Sequence, residues 1–388
     1  MQVRPYELII VGAGPAGSAT ALFLLHHRPD LQGRILLLER RSFPREKFCA
    51  GALGGRADRL LEEIGVRIEV PSVAIDGLML SLPDGRVERT PGGIGRVIRR
   101  REFDHALALV ARDRGAELLE GHGVRTFTVD KGGVEVSTGR ERFRGRALVG
   151  ADGVGSTVRR ALGLPFGRLK ASVVEVDTER VSGDPPDHLL HFDVTDRTYR
   201  GYAWDFPTPL KGRVMVSRGL YVLSYDGSTV PEVTDLLAER LRAQGLCIQD
   251  YRVKRMAERG IELHRPTARP RILLVGEAAG IDPITGEGIA QAVQYGSVAG
   301  RYLAERLRTG RLSFRDWRLR LASSDLGKDL AFRRLLAQGC YRWGRHPFER
   351  LFLDRPEALE FGAAIFAGRV RPWRKWASKI LPGQSPAS

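Results

Sequence analysis

LIIVGAGPAGSATALFLLHHRPDLQGRILLLE, residues 8–39, is the stretch from which the fold follows. Residues 8–11 have the length and composition of a buried strand. Gly12-x-Gly14-x-x-Gly17 then opens an apolar helix to Leu25, and a second strand run, residues 35–38, ends in Glu39. Together they make a βαβ unit. Gly12 permits a tight turn, Gly14 lets the backbone approach a pyrophosphate, and Gly17 lets the helix pack closely on the strand, while the helix N-terminus offers free N–H groups to the anion. Glu39 is placed to accept hydrogen bonds from a ribose 2′-hydroxyl and to disfavour a 2′-phosphate. By itself the unit fits NAD, FAD or another adenine nucleotide.

The 388 residues, 43% apolar and 28% charged, leave room for two or three cores. The uncharged run at residues 8–25 is split by the glycine turn, has no basic leader or cleavage site, and no later segment reaches spanning length. A cytoplasmic protein is therefore expected. Cys49, Cys247 and Cys340 are widely spaced without CxxC pairing, which fits a reducing compartment and no metal cluster. The net charge of +16 is spread along the chain, densest at residues 96–101 and 369–379. No nucleic-acid module accompanies it, so the readings are solvated charge, an anionic membrane surface or an isoprenoid diphosphate.

Beyond Glu39 the chain is expected to pass beside a cofactor. Arg40 and Lys47 can reach phosphate, and Cys49, Ala50 and Gly51 allow a flat ring to sit close, although a cysteine among small residues is also an ordinary compact core side chain. Residues 70–97 alternate as strands. Arg100 begins a helix, where its guanidinium meets either a cofactor or solvent. A strand then ends in Asp152-Gly153, with Ser156 and Arg159 close behind; this turn is expected to hold a cofactor edge and a diphosphate.

Strands resume at residues 173–176, 188–194, 201–206 and 213–223, and a helix follows at 230–244. Alternation puts Tyr202, Trp204 and Phe206, just before Pro207, on one face, either as core or as an apolar slot for substrate. A third strand ends in Gly276-Glu277, followed by Pro283-x-x-Gly286-Glu287-Gly288-Ile289 and a helix. Glu277 can meet ribityl hydroxyls, and the amides around Gly286 and Gly288 can stabilise negative charge on a reduced ring. Three such segments imply one extended flavin dinucleotide. Residues 301–344 read as helical and basic. Residues 361–381 mix Phe366, Trp373, Trp376 and Ile380 with Arg369, Arg371, Arg374, Lys375 and Lys379, either as a cap over the substrate region or as a peripheral membrane face.

These residues resemble the FAD-dependent geranylgeranyl reductase family within the p-hydroxybenzoate hydroxylase-like flavoproteins. The likeness covers roughly residues 6–304. Gly12, Gly14, Gly17 and Glu39, the Asp152-Gly153 loop with Ser156 and Arg159, and the Gly276-acid segment are shared with the broad class, with hydroxylases and halogenases included. Three segments are similar to the reductase branch: Phe43-Pro-Arg45-x-Lys47-x-Cys49-x-Gly51-x-Leu53, Tyr202-x-Trp204-x-Phe206-Pro207, and Pro283-x-x-Gly286-Glu287-Gly288-Ile289. Glu277 stands where the family has aspartate, and Ala50 where it has glycine.

The resemblance implies an α/β fold: a Rossmann-like FAD-binding domain at residues 1–69, 96–165 and 265–320, an inserted antiparallel β-sheet substrate domain at 70–95 and 166–264, and a C-terminal helical cap at 321–388. It implies FAD as cofactor, held by the glycines and Ala16, Glu39, Arg40, Lys47, Cys49 to Gly51, Arg100, Asp152, Gly153, Gly276, Glu277, Pro283 and Gly286 to Ile289. NAD(P)H or reduced ferredoxin would be the electron donor. The implied activity is saturation of isoprenoid double bonds, with Cys49, Tyr202 and Trp204 catalytic and Phe206 and Pro207 on the substrate. The alternatives are a monooxygenase or halogenase acting on an aromatic or polyketide, and a non-catalytic flavin-bound lipid carrier. Halogenases carry Trp-x-Trp-x-Ile-Pro at the aromatic strand, so Tyr202 and Phe206 argue against that branch.

Overall fold

The computed structural model describes residues 6–85, 87–164, 169–225, 232–262, 264–342 and 356–370. The first half runs β1 (Tyr6–Val11), α1 (Pro15–His27), β2 (Ile35–Leu38), β3 (Ala52–Gly54), α2 (Gly55–Glu62), β4 (Ser72–Ser81), β5 (Val87–Ile98), α3 (Arg100–Asp113), β6 (Glu117–Leu119), β7 (Thr126–Val129), β8 (Val134–Ser137), β9 (Arg142–Gly150) and α4 (Thr157–Ala161). The second runs β10 (Leu169–Thr178), β11 (Leu189–Asp193), β12 (Gly201–Leu210), β13 (Arg213–Tyr225), α5 (Val233–Ala243), β14 (Lys254–Arg259), β15 (Ala268–Arg269) and β16 (Ile272–Leu274). Four helices follow: α6 (Ile289–Thr309), α7 (Trp317–Ser323), α8 (Asp325–Arg342) and α9 (Pro356–Phe366).

The first sheet has the order β15-β16-β9-β1-β2-β6, with β8 joining β9 to β7. Its centre is parallel: β1 pairs with β2 and β9, and β16 with β9. Strands covered on both faces need continuous apolar runs, and Ile35 to Leu38 are all buried. The helices α1 and α6 pack together on this sheet through Gly296 and Gly300, where an added Cβ would come within 2.4 Å of Ala19 and 2.6 Å of Phe23.

The second sheet, β14-β10-β13-β12-β11-β4-β5-β3, is antiparallel except for the β4–β11 pair. Alternation gives it two faces. Val174, Val176, Leu220 and Val222 pack under Leu237 and Leu241 of α5. Val173, Trp204, Phe206 and Tyr221 face the other way, with Ala337 of α8 and Ala363 of α9 packed into the same cluster. β3 falls in the stretch expected in the nucleotide domain, but it pairs with β5 and so belongs to the second sheet. Its residues follow the cofactor-flanking segment in sequence, and only its pairing partner reveals where it sits. Residues 371–388, with Trp373, Trp376, Ile380 and their basic neighbours, lie outside the described residues, as does the side chain of Cys340. Among the described residues no helix is long and apolar enough to cross a membrane.

Candidate functional site

One continuous cavity of about 670 Å³ runs from the end of β1 to the aromatic face of the second sheet. At its nucleotide end, Gly12 has φ +102°, and a Cβ there would stand 2.5 Å from the Ala151 carbonyl. A Cβ at Gly17 would meet the Gly12 carbonyl at 1.9 Å, so Gly17 serves packing and does not line the cavity. Gly14 is different. It precedes α1, and a Cβ there would meet nothing nearer than Arg45 Nη2 at 3.7 Å and Arg100 Nη2 at 3.9 Å. A bare backbone, a helix N-terminus and two guanidinium groups thus enclose a space whose chemistry fits a pyrophosphate.

Those guanidinium groups are aimed by Asp104, which is fully buried. It accepts from Arg100 Nε at 2.6 Å and from Arg45 Nη1 at 3.1 Å. Burial opposes the charge on Arg100, yet the adjacent carboxylate outweighs it and holds the pKa above the ordinary arginine value. The Nε of Arg45 is enclosed without a hydrogen-bond partner among the described residues. Glu39 is buried and accepts from the Ala13 amide at 3.3 Å, the Arg41 amide at 3.1 Å and Arg45 at 3.2 Å. A carboxylate has about four acceptor positions, so these bonds leave capacity for a ribose hydroxyl. Arg40, His122, Gly123 and Val124 close this end.

The Asp152 turn differs from expectation. Asp152 and Gly153 line the cavity, but the Asp152 carboxylate caps α4, accepting from Ser156 Oγ at 2.5 Å and from the amides of Thr157 at 2.6 Å and Val158 at 3.2 Å. Ser156 accepts from the Arg159 amide, and the Arg159 side chain is buried and donates to the Ala278 carbonyl at 3.0 Å. Neither reaches the cavity wall, so the expected diphosphate role for Ser156 and Arg159 fails. Their spacing is that of a helix cap and a packing bond.

Gly276, expected to bind the cofactor, packs against Ala16 instead, with an added Cβ 2.6 Å from the Ala16 Cβ, and does not line the cavity. Glu277 faces the cavity. Burial raises its pKa, and the charges of Lys47 and Arg100 counter part of that rise. The following loop brings Gly286, Glu287, Gly288 and Ile289 to the wall at the N-terminus of α6, whereas Pro283 packs outside the lining against Gly260. Glu287 is tied by ion pairs to Arg56 at 3.1 Å and to Arg333 at 2.8 Å. Arg333, on α8, also pairs with Asp282 at 2.5 Å and Asp329 at 3.1 Å. Glu287 therefore acts as a fastening between this loop and two helices. The Tyr202 hydroxyl adds a bond to the Thr285 carbonyl at 2.6 Å.

Beyond the loop the cavity becomes an apolar chamber. Tyr202, Trp204 and Phe206 line it, as the alternation of β12 requires. Tyr202 stacks on Tyr221 with centroids 5.2 Å apart, and Phe192 meets Tyr202 and Phe206 edge-on. Trp204 is buried flat over Gly219, where a Cβ would come within 2.2 Å of the indole. Pro207, one residue on, falls on the opposite face of the strand and does not line this cavity. Cys49, Ala50 and Gly51 form the wall on the nucleotide side; burial pushes the Cys49 thiol up, and its Sγ accepts from the Gly51 amide at 3.4 Å. Behind the aromatic face, Asp205 is clamped by Arg218 at 3.1 Å, Arg240 at 2.6 Å and His191 at 3.3 Å. Burial opposes its charge, but these cationic and imidazole partners hold its pKa well below the carboxylate range.

Sequence reasoning missed Asp104, Arg56, Asp329, Arg333, Tyr221 and Glu258, together with Phe332, Leu336 and Leu359 of the chamber wall, whereas Phe366, named in the stretch expected as a cap or a membrane face, lines the cavity. The i,i+4 spacing of Arg100 and Asp104 was a usable signal. Asp329 and Arg333 share that i,i+4 spacing; the remaining contacts join residues tens to hundreds of positions apart.

The FAD binding domain family matches residues 5–316 of the chain. Digeranylgeranylglycerophospholipid reductase 1 of Methanopyrus kandleri is 32% identical over 322 residues, covering 78% of this chain and 81% of the relative. A solved geranylgeranyl bacteriochlorophyll reductase-like protein from Thermoplasma acidophilum superposes with TM-score 0.73 at 20% identity over 97% of this chain and 100% of that one. The halogenase PltM superposes with TM-score 0.69 at 17% identity, covering 95% and 86%. At such identities the two solved structures speak to the fold.

Proposed function

The chain belongs to the FAD-binding flavoprotein family that includes the digeranylgeranylglycerophospholipid reductases, and from that membership we propose that it saturates carbon–carbon double bonds in an isoprenoid chain. The observation that supports this most is continuity: the nucleotide cleft opens directly into a chamber walled by aromatic and aliphatic side chains. Bound FAD, once reduced, would supply the hydride, and with it the electron pair, that alkene reduction requires. Around it, Gly14, the α1 N-terminus, Arg45 and Arg100 would hold the pyrophosphate, and Glu39 the ribose. Glu277 would take the ribityl hydroxyls, with Lys47 beside it. Gly286 to Ile289 and the α6 N-terminus would face the flavin ring, their amides favouring its negatively charged reduced form.

Isolated alkenes accept hydride poorly, so the chamber must contribute through enclosure and placement. Tyr202, Trp204, Phe206 and Phe192 would hold the chain extended and dry. Cys49 stays a neutral thiol at neutral pH and would position the chain beside the ring. The electron donor, NAD(P)H or reduced ferredoxin, would dock transiently, and the net charge of +16 favours an anionic headgroup or bilayer surface for the substrate.

Anaerobic reduction of the FAD-loaded protein, followed by mixing with a geranylgeranyl lipid, is expected to raise product mass by two hydrogens per turnover while the flavin reoxidises. Product that forms only with oxygen would favour the monooxygenase or halogenase reading, which rests on shared fold. No mass change with any isoprenoid would overturn the proposal.

A further inference from the structure

We propose that Glu258 is the proton donor of this reduction, the acid that completes the second new C–H bond at the alkene. The assignment rests on the alkene-reductase reading and adds to it a residue that no recognisable motif carries.

Strand register places the side chain. Met256 of β14 stands opposite Val173 of β10, Val173 opposite Tyr221 of β13, and Tyr221 opposite Tyr202 of β12. These four make one rung across the chamber face. Glu258 is two residues beyond Met256, hence on the same face, and it lines the chamber. It shares a hydrogen bond with Tyr221. Its Oε2 is enclosed without a hydrogen-bond partner among the described residues and lies 2.9 Å from where a Cβ on Gly286 would stand. The carboxyl therefore sits between the aromatic wall and the loop proposed to face the flavin ring.

An ionised carboxylate with an unpaired, enclosed oxygen is costly, whereas the neutral acid avoids that cost and carries an O–H to donate. The surrounding groups act in the same direction. Burial first, then the carboxylates of Glu277 and Asp282, push the Glu258 pKa well above the usual range; Lys47 and Tyr221 pull the other way without prevailing. Cys49, also on the cavity wall, is raised by burial and, more weakly, by carboxylates that include Glu258. A thiol is already a weak acid and becomes a weaker one there, whereas a carboxyl raised toward neutrality approaches the optimum for general acid catalysis.

The step balances simply. Bound reduced FAD would supply the hydride for the new C–H bond at one alkene carbon. The π electron pair takes the Glu258 proton at the other carbon as the O–H bond breaks, and the carboxylate left near Lys47 regains a proton from water after product leaves.

The test compares wild type, Glu258→Gln and Glu258→Asp, each loaded with FAD. Infrared spectra of the substrate-free proteins at neutral pH are expected to show a protonated carboxylic acid band in the wild type that disappears in Glu258→Gln; no such difference overturns the assignment. Flavin reduction by dithionite is expected to be equal in all three. Anaerobic reoxidation by a geranylgeranyl lipid is expected to slow by about 100-fold or more in Glu258→Gln and by less in Glu258→Asp, which keeps the acid one methylene back. Equal reoxidation in wild type and Glu258→Gln overturns the proposal and leaves the reductase reading intact. A wild-type protein that no isoprenoid reoxidises removes that reading and the proposal with it.

Discussion

Gly14→Ala and Gly17→Ala add the same methyl three residues apart, and the geometry gives them opposite consequences. At Gly17 the methyl would stand 1.9 Å from the Gly12 carbonyl and 3.2 Å from the Ile10 side chain. Ordinary contact requires α1 to withdraw by roughly 1.5 Å. Gly296 and Gly300 of α6 already press on its far side, where even a Cβ would come within 2.6 Å of α1. Overpacking with no room to relax belongs at the upper end of its usual range, about 3 kcal/mol. Alanine returns about 1 kcal/mol of helix propensity over glycine, leaving a net loss of about 2 kcal/mol. At Gly14 the nearest atoms are guanidinium nitrogens at 3.7 and 3.9 Å, and the backbone φ of −77° suits alanine. Its apoprotein is expected to stay within about 0.5 kcal/mol of wild type. The methyl instead fills the proposed pyrophosphate space. Losing one charge-assisted hydrogen bond there costs about 1.5–3 kcal/mol, a Kd for FAD roughly 10- to 150-fold weaker. Urea unfolding of the apoproteins and fluorescence titration with FAD measure the two quantities separately. Gly14→Ala that destabilises the apoprotein as much as Gly17→Ala, or that binds FAD like wild type, refutes the reasoning.

Arg333→Met removes the cation from a buried cluster of three carboxylates and is expected to cost about 3–5 kcal/mol, with weaker FAD binding as the 282–288 loop loosens; unfolding and flavin titration that both match wild type would contradict this. Asp205→Asn is expected to destabilise strongly at pH 7 and progressively less toward pH 3. Because the native pKa of Asp205 is depressed, its contribution is present above the ordinary aspartate range and lost as pH falls through the native value; a pH-independent difference in urea midpoints would refute it. For Glu258, whose native pKa is raised, the sign reverses: its contribution is full below the ordinary glutamate range and lost as pH rises toward the native value. Glu258→Gln should therefore gain stability relative to wild type between pH 5 and pH 8, and a difference that stays constant or moves in the wild type's favour over that interval would count against a neutral acid. Trp204→Ala empties the chamber wall and is expected to cost about 3–5 kcal/mol, read by urea unfolding; a loss below 1 kcal/mol would mean that the indole is not packed as described.

The sequence by itself determined the nucleotide half of this protein. Gly12, Gly14, Gly17 and Glu39 lie within one βαβ unit, so the spacing that matters physically is also short along the chain. The period of two on β12 likewise settled which of Tyr202, Trp204 and Phe206 share a face, because pleating is local. Local pattern also misled: Ser156 and Arg159 looked like ligands of a diphosphate, and the tertiary structure turns both to capping and packing. What only the tertiary structure decided are the contacts whose partners meet across long sequence separations. Arg333 fastens Asp282 and Glu287 from 51 and 46 residues away. Glu258 reaches the chamber wall because β14 pairs with β10, and its burial beside Glu277 and Asp282 comes from packing between strand and loop. A carboxyl's protonation state depends on what surrounds it in space, and in this fold those neighbours come from separate segments of the chain.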